Sequence, residues 1–475
     1  MRKVCASFLL LLLLCVNTQH IFSYDGESPG PDESKQKKIN EAIVSGLIAS
    51  GEALLVNGII MSSNILYFQS TGKQPWAIPS KKSIWYNLST PWEWEDTDDF
   101  IVNQLGHPTQ GALYYSAGRV NGFGYYESAF FSALGSFTFE AFGESNQASL
   151  NDFITTVTSS LSAGEIFYRL YMEACAAGVP WPIALLINPT AGAHRFLTGW
   201  EPPNYGRNLN KLKVHLGMGH AETHYSLSSQ DDEFFSFRGF FPDMGVGIIY
   251  GNPFEHESKV PFSHFELDMS LSMNIGNYMN IRLISDGYLF SFLPVYTSKN
   301  MMSTGLSLHF DFVSLGRYDP GTSTINQYSN ALDWTIKYQH LFSEDLAFTM
   351  KTHAGLTFMG SSSYYSPEAD DEFKNYGAGF NAKLLFCLDH KKLGLLEMST
   401  FVYAQWTFPF QAVTHFSRGA TYWLFTDITY SYYFSKHFSA GITDSFVFER
   451  GLFNGGFPDT KKRNNAVKLF IAWNL

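Results

Sequence analysis

The chain has 475 residues, a formal charge of −11 and an aromatic share of 17%. Its acidic charge is spread along the chain rather than gathered in a tail, which argues against nucleic acid as a partner and suits a polar lumen and loops. That aromatic share, with no long apolar run expected past the amino terminus, is what barrel walls and girdles require, whose lipid and water faces average out in hydropathy.

Met1-Arg2-Lys3 and the leucine-rich run to Val16 have the charged start and short apolar core of a secretory signal. Residues 1–23 are read as that signal, cut after Ser23, although Ile21 is large for its place before the cut. Cys15 offers a lipoprotein cleavage site as an alternative, against which bulky Leu14 stands. Cys175 and Cys387 then remain, in no disulfide or metal-ligand pattern. Residues 24–40, charged and rich in Pro, Gly and Ser, read as a disordered leader. Within 41–97, the apolar stretch 41–66, interrupted by Glu52 and Asn57, reads as a helix buried against protein. Residues 74–97 carry Trp76, Trp85, Trp92 and Trp94 and read as an irregular connector at an interface.

A helical domain is expected over 98–210. Small and aromatic residues recur at helical spacing, giving helices at about 108–120, 125–143 and 150–177, with Gly122 and Gly124 separating the first two. Ser149 and Asp152 suit the start of the third helix, one as cap and the other at its positive end. Glu165 and Arg169 form an i,i+4 pair. Five prolines in 179–210 indicate a loop-rich bridge with one short helix. The polar residues here run Asn103, His107-Pro108, Gly111, Tyr114-Tyr115, Arg119, Gly122, Ser128, Glu140, Glu144, Ser149, Asp152 and Gly164-Glu165, followed by Asn188-Pro189, Arg195 and Gly199. In identity and order this resembles domain-of-unknown-function family 3943, found in exported proteins of spirochaetes and Bacteroidetes, over about residues 98–200. One departure is Phe139, where the family commonly has Trp. The family has no established activity, so the resemblance implies an exported address and no reaction.

From residue 211 to 475 a two-residue pattern takes over. Its barest copy is Phe265-Glu266-Leu267-Asp268-Met269-Ser270-Leu271-Ser272-Met273, apolar on one face and polar on the other. The same alternation places Glu266, Asp268, His309, Asp311, Lys337, Lys351 and His353 toward a lumen, with Lys213, Lys383, Glu397 and Asp427 in the same role, while Leu267, Phe310, Phe348 and Trp473 face hydrocarbon. Strand-like stretches fall at 211–226, 237–250, 264–274, 278–286, 288–298, 304–316, 330–343, 346–360, 375–388, 393–408, 419–434, 438–450 and 466–475, with Asp286-Gly287 and Ser343-Glu344-Asp345 as turns and 361–374 and 451–465 as longer outer loops. An odd number does not suit a single-chain barrel. The fold class is therefore mainly β, a closed antiparallel transmembrane β-barrel of about twelve strands, range ten to fourteen, with an N-terminal helical plug or periplasmic subdomain.

The titratable residues of the helical domain are its candidate site. Asn103, His107, Arg119, Glu140, Glu144, Ser149, Asp152, Glu165 and Arg169 could form one polar network that locks the helices together. A catalytic reading takes His107 as general base, Glu140, Glu144 or Asp152 as its carboxylate partners, and an activated water or a serine, Ser128 or Ser149, as nucleophile; capping explains Ser149 more simply. A metal on His107, Glu140 and Glu144 lacks a paired-histidine motif, and neither metal nor cofactor is expected. His220, Glu222 and His224 share one strand face, the histidines about 13 Å apart, and are expected to line the lumen. These readings point to an outer-membrane protein acting in envelope structure or restricted passage of solutes or lipids, with a lipid-directed hydrolase or acyl-transfer enzyme, or a surface adhesin, as alternatives. Outer-membrane lipid and the barrel-assembly machinery are the expected partners.

Overall fold

The computed structural model describes residues 33–71, 76–94, 98–203, 207–228, 235–273, 278–317, 324–366, 371–408, 418–454 and 457–475. The expected signal 1–23 and the leader up to residue 32 lie outside them. The described chain forms a helical unit, within 33–98 and 106–203, and a barrel unit made of Asp99–Leu105 and Arg207–Leu475.

The helical unit begins with α1 (Glu33–Thr71), which takes in the end of the expected leader. Only one stripe of α1 is covered: Ala49, Ala53, Val56 and Asn57 are buried, whereas Ile43, Val44, Leu47, Leu54, Leu55, Ile59 and Leu66 are exposed. The expectation of a helix buried against protein thus holds for one face alone, and Lys38–Thr71 is long and apolar enough to cross a membrane. The tryptophan connector contains a helix, α2 (Lys81–Ser89), closed by a reciprocal Ser80–Ser83 capping box. Trp76 packs edge-on to Phe139 and Trp92 stacks on Phe137, so these rings serve the helical core. The three main helices follow the expected bounds: α3 (His107–Val120), α4 (Tyr125–Phe142) and α5 (Leu150–Ala176). Gly111 lets α3 meet α5 closely, since a Cβ there would lie 2.2 Å from the Thr156 carbonyl oxygen. The bridge holds two short helices rather than one, α6 (Trp181–Ile187) and α7 (Pro189–Thr198), the second capped by Asn188.

The barrel has twelve antiparallel strands: β1 (Leu209–Leu227), β2 (Phe235–Tyr250), β3 (Phe265–Met273), β4 (Tyr278–Tyr296), β5 (Asn300–Arg317), β6 (Thr324–Leu341), β7 (Leu346–Ser366), β8 (Asp371–His390), β9 (Gly394–Thr407), β10 (Arg418–Tyr433), β11 (Phe438–Asn454) and β12 (Thr460–Asn474). Each pairs with its sequence neighbours and β12 closes on β1, leaving no free edge. Thirteen stretches became twelve strands because β4 runs unbroken through Asp286-Gly287. The Asp-Gly pair reads as a turn, but here Gly287 makes room for the Phe262 ring, which a Cβ would meet at 2.3 Å. The long loops expected at 361–374 and 451–465 are largely strand, in β7, β8, β11 and β12.

Strand alternation assigns the faces. Leu216, Met218, Met244, Leu356, Val402, Ile428, Leu469 and Ile471 are exposed on the outer face, with Tyr296, Phe342, Phe434, Phe438 and Trp473 near the end that holds both sheet termini, and Phe240, Phe380 and Trp406 nearer the other end. This is the apolar belt and aromatic girdle of a transmembrane barrel. Two expected lipid-facing residues depart from it. Leu267 and Phe310 point outward yet are buried, as is Phe312, whose ring lies 6.1 Å from that of Phe100. Phe100 belongs to the Asp99–Leu105 segment, and its N–H donates to Glu372 on β8 (3.2 Å). That stretch of outer wall is lined by protein and carries polar side chains, Asn326 bonding Ser363 at 2.8 Å.

Candidate functional site

In the helical unit the expected single network divides in two. His107, at the start of α3, lies 3.8 Å from Asp152 of α5. The ligand atoms of His107, Glu140 and Glu144 fall within 4.8 Å of one another, all three residues buried. The Ser149 N–H donates to Glu140 (2.8 Å), and the Ser149 hydroxyl accepts from the Asp152 N–H (3.2 Å), capping α5. Asn87 donates to the Glu140 carbonyl oxygen (3.1 Å). The second group is Glu165, held by Arg119 at 2.9 Å and Arg169 at 2.8 Å, with the Tyr115 hydroxyl donating to it at 3.0 Å. Arg119 therefore serves Glu165. Asn103 falls in the barrel unit, in a short π-helical turn over Val102–Gly106.

Ser128, fully buried, donates to the Gly124 carbonyl oxygen (2.8 Å). On α4 it stands twelve residues from Glu140, about 18 Å along the axis. Ser149 is committed to its cap. Neither serine is thus arranged as a nucleophile beside His107 and Glu140.

The barrel lumen is layered. At the end holding the sheet termini is a cavity of about 490 Å³, lined by Lys211, Lys213, Glu266, Asp268, Arg282, Asp286, Lys337, Lys351, Glu397 and Asp427 among others. Glu266 receives Lys337 (2.7 Å) and Lys351 (3.0 Å), and Lys351 also bonds Asp286 (2.7 Å). Deeper in, His309 and Asp311 of β5, Asp333 and Thr335 of β6, His353 of β7, Asn381 and Lys383 of β8 and Tyr403 of β9 form a buried layer. Lys383 lies 2.5 Å from Asp311 and 2.9 Å from His309 Nδ1, and Tyr403 donates to Asp311 (2.9 Å). Val313, Leu315, Ile325, Trp423, Phe425 and Val447 close into an apolar cluster, joined by Phe401, which also lines the cavity.

Opposite walls touch. Arg282 of β4 pairs with Asp427 of β10, and the Tyr225 hydroxyl of β1 donates to the Tyr365 carbonyl oxygen of β7 (3.0 Å), each across six places in the ring of twelve. A round ring of twelve strands would be about 24 Å across between backbones, more than these side chains span, so the lumen is flattened and filled by the barrel itself.

Residues 91–181 match the family model of a domain of unknown function, DUF3943. The DUF3943 match covers both polar groups of the helical unit and ends before Asn188-Pro189, Arg195 and Gly199. No curated protein matches the chain. Among solved structures the barrel resembles an outer membrane channel from Pseudomonas putida F1 (9% identity, 58% of this chain and 100% of that one, TM-score 0.29). It also resembles the Pseudomonas putida toluene transporter TodX (9% identity, 57% and 90%, TM-score 0.23) and the NanC porin (8% identity, 54% and 100%, TM-score 0.24). Likeness at this level carries no argument about transport; the closure stands on its own strand pairing.

Outside the matched stretch, Glu266, Asp268, Lys337 and Lys351 line the cavity, and His309, Asp311 and His353 lie in the buried layer. His220, Glu222 and His224 sit elsewhere than expected. They lie on the outer face of β1, where His220 packs edge-on to exposed Phe240 and His224 bonds Glu222 (3.1 Å). An alternating strand marks which residues share a face, and the inward face of β1 is the other one, with Lys211, Lys213, Ala221 and Tyr225. Sequence reading passed over Asp333, Thr335 and Asn381, although the same alternation that marks Lys337 and Lys383 marks them.

Proposed function

We propose that the protein is an outer-membrane barrel for restricted passage, with a charge-lined pocket open at one end and an apolar layer closing the lumen beyond it. The observation that carries this reading is the pair of contacts between opposite walls, Arg282–Asp427 and Tyr225–Tyr365, beside an apolar outer belt that is interrupted only where protein covers the wall. An open porin needs a hydrated bore; here ten charged side chains line a cavity of about 490 Å³ that gives way to buried Trp423 and Phe425. Both signs of charge line the pocket, which suits a small polar or zwitterionic solute. Closure by the barrel's own side chains makes a helical plug unnecessary for the seal.

Conductance in planar bilayers tests this. Refolded wild-type protein is expected to show no sustained current, while the paired change Trp423→Ala with Phe425→Ala should open a measurable path. Steady wild-type conductance would replace the restricted-passage reading with an open pore; a folded double variant that stays silent would make the barrel a structural element.

A further inference from the structure

We propose that His309, Asp333 and His353 bind a divalent transition-metal ion, zinc in the first instance, inside the barrel. Three neighbouring strands bring two imidazoles and one carboxylate to a point, their ligand atoms within 4.8 Å of one another. His309 and Asp333 are fully buried and His353 is 3% exposed. His309 Nε2 and Asp333 Oδ2 are 3.4 Å apart. Donor atoms around a tetrahedral zinc ion at about 2.0–2.1 Å sit about 3.3 Å from each other, so this edge of the site already has its length.

Charge supports the same reading. Lys383 lies 2.5 Å from Asp311 and 2.9 Å from His309 Nδ1; with an ion on Nε2 the ring proton sits on Nδ1, and Lys383 is left to Asp311. Asp333 Oδ1 accepts from Asn381 (2.9 Å), but Oδ2, aimed at the histidines, has no hydrogen-bond donor among the described residues. A buried carboxylate oxygen left in that state is costly, and a cation between it and two neutral imidazoles removes the cost.

The surroundings are those of a built site. Thr335 Oγ1 lies 2.7 Å from His353 Nδ1, which leaves Nε2 for the ion, and Asn381 fixes the carboxylate. Such outer partners set ligand orientation. Ser307 Oγ, 2.9 Å from His309 Nε2, also meets Thr335 Oγ1 (2.5 Å) and the Asp333 carbonyl oxygen (3.3 Å), and stands where a fourth ligand or a water would. Gly355 faces Asp333 across the β6–β7 pair, where a Cβ would come within 2.4 Å of Oδ1. Lys351, two residues before His353 on the inward face of β7, lines the cavity and marks the way in. Two histidines and one carboxylate suit zinc and its first-row neighbours rather than calcium or magnesium, which prefer oxygen throughout. Motif spacing misses the site because each ligand lies on a different strand.

The sample for the test is full-length protein refolded in detergent, stripped with a chelator and reloaded with zinc. X-ray absorption at the zinc edge is expected to count two imidazoles; a single one would move the ion to the His107 cluster and overturn the proposal. In a competition titration against a chromophoric chelator, His353→Gln and Asp333→Asn should lose the site, folding being checked by heat-modifiable gel mobility. Thr335→Val removes the hydroxyl that His353 and Ser307 share, should leave the barrel folded, and should weaken zinc by about tenfold. Failure of the wild type to take up zinc, or unchanged affinity in the folded variants, would rule the site out.

Discussion

Four tyrosines give the helical unit a pH response of definite sign. Burial pushes the hydroxyls of Tyr114, Tyr115 and Tyr125 well above their ordinary 10.0. Burial, and then the neighbouring Cys175 thiol, pushes Tyr171 up to about 12. Above the ordinary value the unfolded chain releases these protons while the folded chain keeps them, so stability must fall as pH rises. Urea unfolding followed by helical circular dichroism should show a midpoint that drops between pH 9 and about 11.5, and Tyr171→Phe should lessen the drop. A flat midpoint would mean that these hydroxyls titrate freely. At this scale much was legible. Ser149 capping α5 and Glu165 pairing with Arg169 are contacts within four residues, which backbone geometry alone arranges. Arg119 choosing Glu165 over Glu140 is a contact between helices, and no local rule selects it.

Among the elements, close approach of α3 and α5 depends on Gly111, where any side chain meets backbone rather than a yielding rotamer. Gly111→Ala should destabilise the helical unit by about 1–3 kcal/mol, read as a shift in the same helical transition. Retained stability would show that α3 can slide on α5. The three helices α3 to α5 were legible because their apolar and small residues repeat at helical period over two turns or more. α2 and the α6–α7 pair were not, since elements of seven to ten residues offer too few repeats and carry turn-forming residues. Gly287 misled for a related reason: a glycine signals either a turn or a tight contact, and only the position of Phe262 decides which.

For the whole molecule, contacts across the lumen hold the flattened section of the barrel. Arg282→Leu leaves Asp427 without its guanidinium and should cost about 3–5 kcal/mol, whereas Arg282→Leu with Asp427→Leu should recover much of that. Thermal unfolding of the barrel by gel mobility is the measurement. Equal losses in the single and double variants would mean that the two walls do not depend on this pair.

Alternation along each strand determined from sequence that a sheet exists with one wet and one apolar face, because a period of two is a property of the extended backbone. It also determined that Glu266, His309, Lys337 and His353 lie on polar faces and that Leu469 and Ile471 lie on apolar ones. Tertiary structure alone decided the rest: twelve strands instead of thirteen, opposite walls in contact, and Phe312 covered by Phe100 instead of lipid. Those outcomes depend on how far the ring flattens and which segment returns to its outer wall, and both are set by contacts between residues tens to hundreds of positions apart, which no local period encodes.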